Sequence, residues 1–411
     1  HRSIIIPSIS NGVCEVSNIL KSEDVINTLN AFRALGVKFE ETKEKLIVYG
    51  KGINSLKKSS DNIYLGNSGT SARLLIGLLA SQKFDSVLTG DSSLSSRPME
   101  RIVNPLNLMN AKIDTNSGKM PIKIYGNDLK NTEIEIDIPS AQIKSGLILA
   151  ALNTKGTTKI IEKHTTRNHT EIMLESFEAN IDLKKINNQT EIKISGKKEL
   201  RPKNIDVPAD LSSSAFFIVA ALINKNSEIT LKNININPTR NGILIALKKM
   251  GANIEIINNR FINNENVADL NVKSSQLNGC ELDEDLAKLM IDEYPIISIA
   301  AAFANTPSIF KGLKELRVKE SDRLNLIKIN LEKCGCNCKI ENDNLFIHPN
   351  EKLNINNQNI QTDFDHRIAM SFLVMGSRLG ELNIEKSDSI KTSFPNFVEE
   401  FNKAGGKIYW K

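Results

Sequence analysis

The chain has 411 residues, of which 40% are apolar and 25% charged, with 22 Gly and 12 Pro. That balance belongs to a globular protein of two or three domains, and it excludes a disulfide-stapled miniprotein, a disordered chain and a fibre. Lys and Arg outnumber Asp and Glu by 53 to 48, a small surplus scattered among acidic residues, which argues against a nucleic-acid footprint and suits small anions.

Taken in order, His1-Arg2-Ser3-Ile4-Ile5-Ile6 reads as what is left of a buried helix, and Ser22 to Val37 as an amphipathic surface helix. A helix apolar on nearly every side begins near Asn67 and is followed by a surface helix within Arg97 to Lys112. The pair recurs at Ser140 and Thr166 to Asn180, at Asp210 and Thr239 to Asn253, at Asp292 and Lys319 to Gly335, and at Asp365 and Thr392 to Gly405. Surface helices carry apolar residues at i, i+3, i+4 and i+7 and mostly end in Gly before a β-rich segment. An all-round apolar helix is a buried one. Six copies of one unit are therefore expected, with a division near Val207-Pro208-Ala209 into residues 1–207 and 208–411. The N-termini of buried helices within a domain would share one face, and opposed faces would form a cleft suited to anions.

The five cysteines are Cys14, Cys280, Cys334, Cys336 and Cys338. Their odd number, with no secretory leader, implies reduced thiols and a cytosolic home. Cys334, Cys336 and Cys338 are expected on one strand face as packing groups, because they lack the paired spacing and fourth ligand of a zinc site. No apolar run is long enough for a membrane span.

Arg97, Arg167, Lys319, Arg323, Arg367 and Lys391 are all expected at helix starts, where a cation opposes the helix dipole. Six such cations at equivalent positions point to a convergent site for a ligand with several phosphate or carboxylate groups. Asp292, Glu293, Glu320, Asp322, Asp365 and His366 are the acid and base candidates among them. For Asp292 and Asp365, helix capping is the competing explanation. Gly69 would let a ligand approach a helix start, and Ser140 and Gln142 offer neutral hydrogen-bonding groups.

Seven stretches, Leu65-Gly-Asn-Ser-Gly-Thr70, Arg97-Pro-Met99, Ser140-Ala-Gln142, Asp292-Glu-Tyr-Pro295, Arg317-Val-Lys-Glu-Ser-Asp-Arg-Leu324, Asp365-His-Arg-Ile-Ala-Met370 and Ser393-Phe-Pro395, resemble in order the signatures of the EPSP synthase (3-phosphoshikimate 1-carboxyvinyltransferase) family. The resemblance implies an α/β fold of two domains, each three βαβαββ repeats of the inside-out barrel type, with an interdomain active-site cleft. It implies transfer of enolpyruvyl from phosphoenolpyruvate to the 5-hydroxyl of shikimate 3-phosphate, on the route to aromatic amino acids, by a cytoplasmic monomer without metal or organic cofactor. Arg2, Ser140, Gln142, Arg167, Asp292 and Lys319 would hold shikimate 3-phosphate, with Asp292 as proton acceptor. Gly69, Arg97, Gln142, Arg323, Arg367 and Lys391 would hold phosphoenolpyruvate, with Glu320 as proton donor. Room at Gly69 would admit glyphosate.

Family members carry Asp-Lys-Ser shortly before the His-Arg that opens this chain. The resemblance thus implies that a catalytic lysine, a substrate serine and a first strand lie outside the 411 residues, and that the 411-residue chain is nearly inactive. Two alternatives stand beside this reading. One is the sister transferase acting on UDP-N-acetylglucosamine, disfavoured because Leu88 to Arg101 lacks a Cys. The other is a non-catalytic anion-binding relative.

Overall fold

The computed structural model describes residues 1–187, 189–350, 353 and 358–410. The chain divides into two compact units, His1–Val207 and Pro208–Lys411.

The first unit contains α1 (Arg2–Ile9), α2 (Glu23–Ala34), α3 (Gly69–Ala80), α4 (Ser92–Ser96), α5 (Glu100–Leu108), α6 (Ala141–Leu152) and α7 (His169–Ser176). Three four-stranded sheets share one topology. In the second sheet, Ile63–Tyr64 pairs parallel with Ser86–Thr89, which pairs antiparallel with Lys119–Tyr125, itself hairpinned to Lys112–Asn116. The third sheet repeats this with Glu133–Ile136, Thr157–Glu162, Gln189–Ser195 and Ile181–Ile186. In the first sheet the parallel edge beside Asn11–Ser17 is filled from the far end of the unit, by Ile205–Asp206. The βαβαββ unit is explicit here: edge strand, buried helix, strand, surface helix, hairpin.

The second unit contains α8 (Leu211–Ile223), α9 (Gly242–Lys249), α10 (Glu284–Met290), α11 (Tyr294–Ala302), α12 (Arg323–Lys333), α13 (His366–Leu379) and α14 (Phe397–Lys403). Its middle sheet, built on Glu281–Leu282, Ser308–Phe310, Asn344–His348 and Asn337–Glu341, has the same topology. The other two copies are reduced. The sheet after α8 has three strands, with an isolated parallel bridge between Ala209 and Ile234 in place of an edge strand. The last has only Asn359–Ile360 parallel to Asn383–Ile384, and among the described residues no hairpin follows α14. Among the described residues the six-fold repeat is thus complete in its helices and incomplete in its strands.

Burial follows the two helix types. α3, α6, α8 and α11 are buried along nearly their whole length, as an apolar surface on every side requires. α1 is buried from Ser3 to Ile9. No helix among the described residues is long and apolar enough to cross a membrane. The cysteine expectation is corrected: all three are buried, but only Cys338 lies in a strand. Cys334 caps the C-terminus of α12, and the Cys336 thiol donates to the His348 carbonyl at 3.3 Å. Period two was misleading because Cys334-Gly335 belongs to the helix end. Among the described residues no His, Cys, Asp and Glu cluster could hold a metal.

One packing contact bears directly on the site. A Cβ on Gly77 of α3 would stand 1.9 Å from the Gly146 carbonyl oxygen of α6, and one on Gly146 would stand 2.6 Å from the Arg73 carbonyl oxygen. The two backbones therefore touch, one turn below Arg73 and Gln142. Gly77→Ala should force the helices apart and lower stability by about 1–3 kcal/mol, the usual cost of overpacking, measured by denaturant unfolding.

Candidate active site

In the first unit, neutral residues open the buried helices. Ser68 caps α3 by accepting from the Ser71 N–H, and Ser140 caps α6 by accepting from the Ile143 N–H at 3.5 Å. No acidic residue lies in the first turn of α1, α3 or α6. The positive ends of their dipoles are left for something else to satisfy.

Above α3, Arg73 donates to the Gln142 side-chain oxygen at 2.7 Å, and the Gln142 amide donates to the Thr70 hydroxyl at 2.9 Å. Arg97 donates to Asn67 and, at 3.3 Å, to Ser93. A Cβ on Gly69 would stand 2.9 Å from Arg73 Nη1 and 3.0 Å from Arg97 Nη1. Two guanidinium groups thus converge over one bare glycine, a placement that an anion would compensate. Gly69, Arg97 and Gln142 are brought together as expected. Arg73 was missed, although it is the one charge in the otherwise uncharged Gly69–Ala80 stretch.

Arg2, at the start of α1, donates to the Thr170 hydroxyl at 2.6 Å and to Ser145 at 3.2 Å, and these two hydroxyls are 2.6 Å apart. Behind them Lys144 is 1% exposed and paired with Glu171 at 2.8 Å and Glu162 at 3.1 Å. Glu162 accepts from the Thr166 N–H at 3.0 Å and Lys144 donates to the Thr166 carbonyl at 3.4 Å. This triad therefore fixes the loop that carries Arg167, two residues before α7. Like Arg73, Lys144 was missed, and it is the lone charge of its helix.

In the second unit aspartates cap α8, α10, α12 and α13. Arg323, the first residue of α12, is 1% exposed and meets three carboxylates: Nε to Asp365 at 2.8 Å, Nη2 to Glu320 at 2.5 Å and Nη1 to Asp292 at 3.4 Å. Burial opposes its charge, but Asp365, Glu320 and Asp292 outweigh that and raise its pKa. Arg323 thus faces three protein carboxylates. Lys319 Nζ adds a second cation 3.1 Å from Asp292. Arg367 donates to the Asp292 carbonyl oxygen at 3.2 Å and lies 3.7 Å from Glu293.

The capping question divides. Asp365 does cap α13, accepting from the Arg367 N–H at 2.9 Å, and it also anchors Arg323 and the Ser321 hydroxyl. Burial raises its pKa, but the charge of Arg323 outweighs that and holds it ionised. Asp292 caps nothing: it sits in the 3-10 turn Ile291–Glu293, and α11 starts without a side-chain cap. Arg240, which the sequence reading passed over, pairs with Asp210 at 3.2 Å, and nearby Asp210, Glu293 and Asp292 outweigh burial to raise its pKa.

Three expected placements are corrected. Arg97 ends the short α4, Lys319 ends the 3-10 turn Lys314–Val318, and Lys391 lies within the 3-10 turn Ser387–Thr392, 2.7 Å from Asp388. Pro and short 3-10 turns delay the helices that the apolar pattern started earlier.

A family model described as EPSP synthase (3-phosphoshikimate 1-carboxyvinyltransferase) matches residues 1–401. The chain belongs to that family. It is 45% identical over 412 aligned residues to the 3-phosphoshikimate 1-carboxyvinyltransferase of Ruthia magnifica subsp. Calyptogena magnifica, covering 99% of this chain and 93% of that protein. The namesake from Thermoanaerobacter sp. (strain X514) is 42% identical, with 98% and 94% covered. Among solved structures, EPSP synthase from Acinetobacter baumannii superposes with a TM-score of 0.86 at 42% identity, covering 98% of this chain and 92% of that one. The enolpyruvyl transferase NikO from Streptomyces tendae, 15% identical with a TM-score of 0.74, shares the fold.

Two predictions follow from charge burial. Lys144→Met strands Glu162 and Glu171 without their cation and should cost about 3–5 kcal/mol in denaturant unfolding, part of it recovered by adding Glu171→Gln. Burial pushes the His366 imidazole down to about 4 against the pull of Asp365 and Glu320. An unfolded chain takes that proton near pH 6.5, so the stability linked to neutral His366 is lost as pH falls from about 6.5 towards 4. NMR titration should find the His366 ring neutral from pH 8 to about 5.

Proposed function

We propose that this chain is a 3-phosphoshikimate 1-carboxyvinyltransferase, moving the enolpyruvyl group of phosphoenolpyruvate onto the 5-hydroxyl of shikimate 3-phosphate and releasing phosphate. The observation that carries the residue assignment is the pair of carboxylates, Asp292 and Glu320, tied to one buried guanidinium. The reaction needs one group to accept a proton and another to donate one, each held so that they do not exchange roles.

In this reading Glu320 protonates the methylene carbon of phosphoenolpyruvate, leaving C2 electron-poor. The 5-hydroxyl oxygen attacks C2 while Asp292 takes its proton. The resulting tetrahedral intermediate bears a methyl group, the ether oxygen, the carboxylate and the phosphate. Loss of phosphate, which carries off the proton taken by Asp292, with return of a methyl proton to Glu320, gives the enolpyruvyl ether. Arg2, Ser140, Gln142, Arg167 and Lys319 hold shikimate 3-phosphate. Gly69, Arg73, Arg97, Gln142, Arg323, Arg367 and Lys391 hold phosphoenolpyruvate, and Arg323 also positions the two carboxylates. The five free cysteines suit a reducing compartment, here the cytoplasm.

Glu320→Gln keeps the hydrogen-bonding shape and removes the proton. Relative to the parent, phosphate release should fall by about 10²–10⁴ in kcat with little change in the KM for either substrate. In D2O, deuterium entering the product methylene through the methyl intermediate should fall in step. Unchanged deuterium incorporation by the variant would remove Glu320 from the donor role.

A further inference from the structure

Beyond α14 the chain turns back on itself. Gly405 supplies a φ of +101°, and the Gly406 N–H donates to the Phe401 carbonyl at 3.0 Å. A Cβ on Gly406 would stand 2.3 Å from the Phe401 ring, so the return lies flat against α14. The Asn402 side chain then grips Ile408 at both backbone groups, donating to its carbonyl and accepting from its N–H, each at 2.8 Å. Two residues later Trp410, the single tryptophan of the chain, brings its ring centroid to 5.2 Å from Lys391 Nζ. That lies within the range of a cation–π contact.

We propose that Trp410 is a positioning residue for Lys391 and tunes how tightly phosphoenolpyruvate is held. The proposal rests on the reading that Lys391 is one of the ligands of that anion. Lys391 has a 52% exposed side chain and a flexible four-carbon stem, so an unrestrained ammonium would be ordered at the moment of binding. Asp388 can hold it, but as a carboxylate it competes with the ligand for the same charge. An aromatic face attracts the cation without neutralising it, which keeps the ammonium in place and its charge available. The Asn402 clamp gives the ring a fixed seat from which to do this.

The test is calorimetric titration of phosphoenolpyruvate into the full chain with 5-deoxyshikimate 3-phosphate present, a probe that lacks the accepting hydroxyl and so prevents turnover. Trp410→Ala should weaken phosphoenolpyruvate binding about two- to five-fold, and Trp410→Phe should recover part of the loss. Lys391→Met should weaken it more, and adding Trp410→Ala to that variant should cost nothing further. If Lys391→Met weakens binding but Trp410→Ala has no effect, or the same effect in both backgrounds, Trp410 does not act through Lys391 and the proposal fails while the ligand assignment stands. If Lys391→Met leaves the affinity unchanged, the assignment of Lys391 to phosphoenolpyruvate fails and the proposal falls with it. Equal melting temperatures for parent and Trp410→Ala would separate either result from a folding defect.

Discussion

The buried guanidinium of Arg323 is the constraint on which the second unit's cluster of charges depends. A cation taken out of water is tolerated only when it is paired on all sides, and Arg323 has one carboxylate for each of its three nitrogens. Those carboxylates come from the opening of α13, the 3-10 turn before α11 and the stretch before α12 itself. Satisfying one side chain therefore fixes three separate chain segments against each other. A lysine, with a point charge and no fork, could not make the same three contacts. The requirement to pair Arg323 places Asp292 and Glu320 in a fixed relation without any contact between the two acids being needed.

The two units use the same repeat for opposite electrostatic ends. In the first, Ser68 and Ser140 cap with neutral hydroxyls, and the cations Arg73 and Arg97 crowd over Gly69. Phosphate and carboxylate groups suit such a place, because charge-assisted bonds and helix N-termini act together there. In the second, Asp210, Asp322 and Asp365 cap, and the cations are interleaved with carboxylates. There Arg240, Lys319, Arg323 and Arg367 each lie within ion-pair distance of a carboxylate of the same unit.

Much of this was legible in the chain. Apolar periodicity separated surface helices such as α2 and α9 from buried ones such as α3 and α8, because burial on one side and burial on all sides leave different patterns. The candidate site residues at Asp292, Lys319 to Arg323 and Asp365 to Arg367 stood out as charges interrupting apolar runs. What periodicity could not supply was partner identity. Arg323 and Lys319 look alike as cations near a helix start, yet one is sealed among carboxylates and the other is partly open. Lys391 was misplaced because a 3-10 turn has no 3.6-residue signature, and the cysteines were misplaced because a two-residue spacing can straddle a helix end.

The missed residues have a common physical form. Arg73 and Lys144 are single charges inside otherwise uncharged helices whose glycines make the α3 and α6 contact, Arg73 one turn before Gly77 and Lys144 two residues before Gly146. A lone charge in a buried helix needs a partner from another segment, so it announces a tertiary contact that the helix itself does not contain. For Arg73 that contact is Gln142, reachable only because two glycines let the backbones touch. For Lys144 it is the Glu162 and Glu171 pair that steadies the Arg167 loop. In α3 the glycine and the solitary charge one turn away thus form a joint signal: Gly77 permits close approach, and Arg73 uses it to reach Gln142.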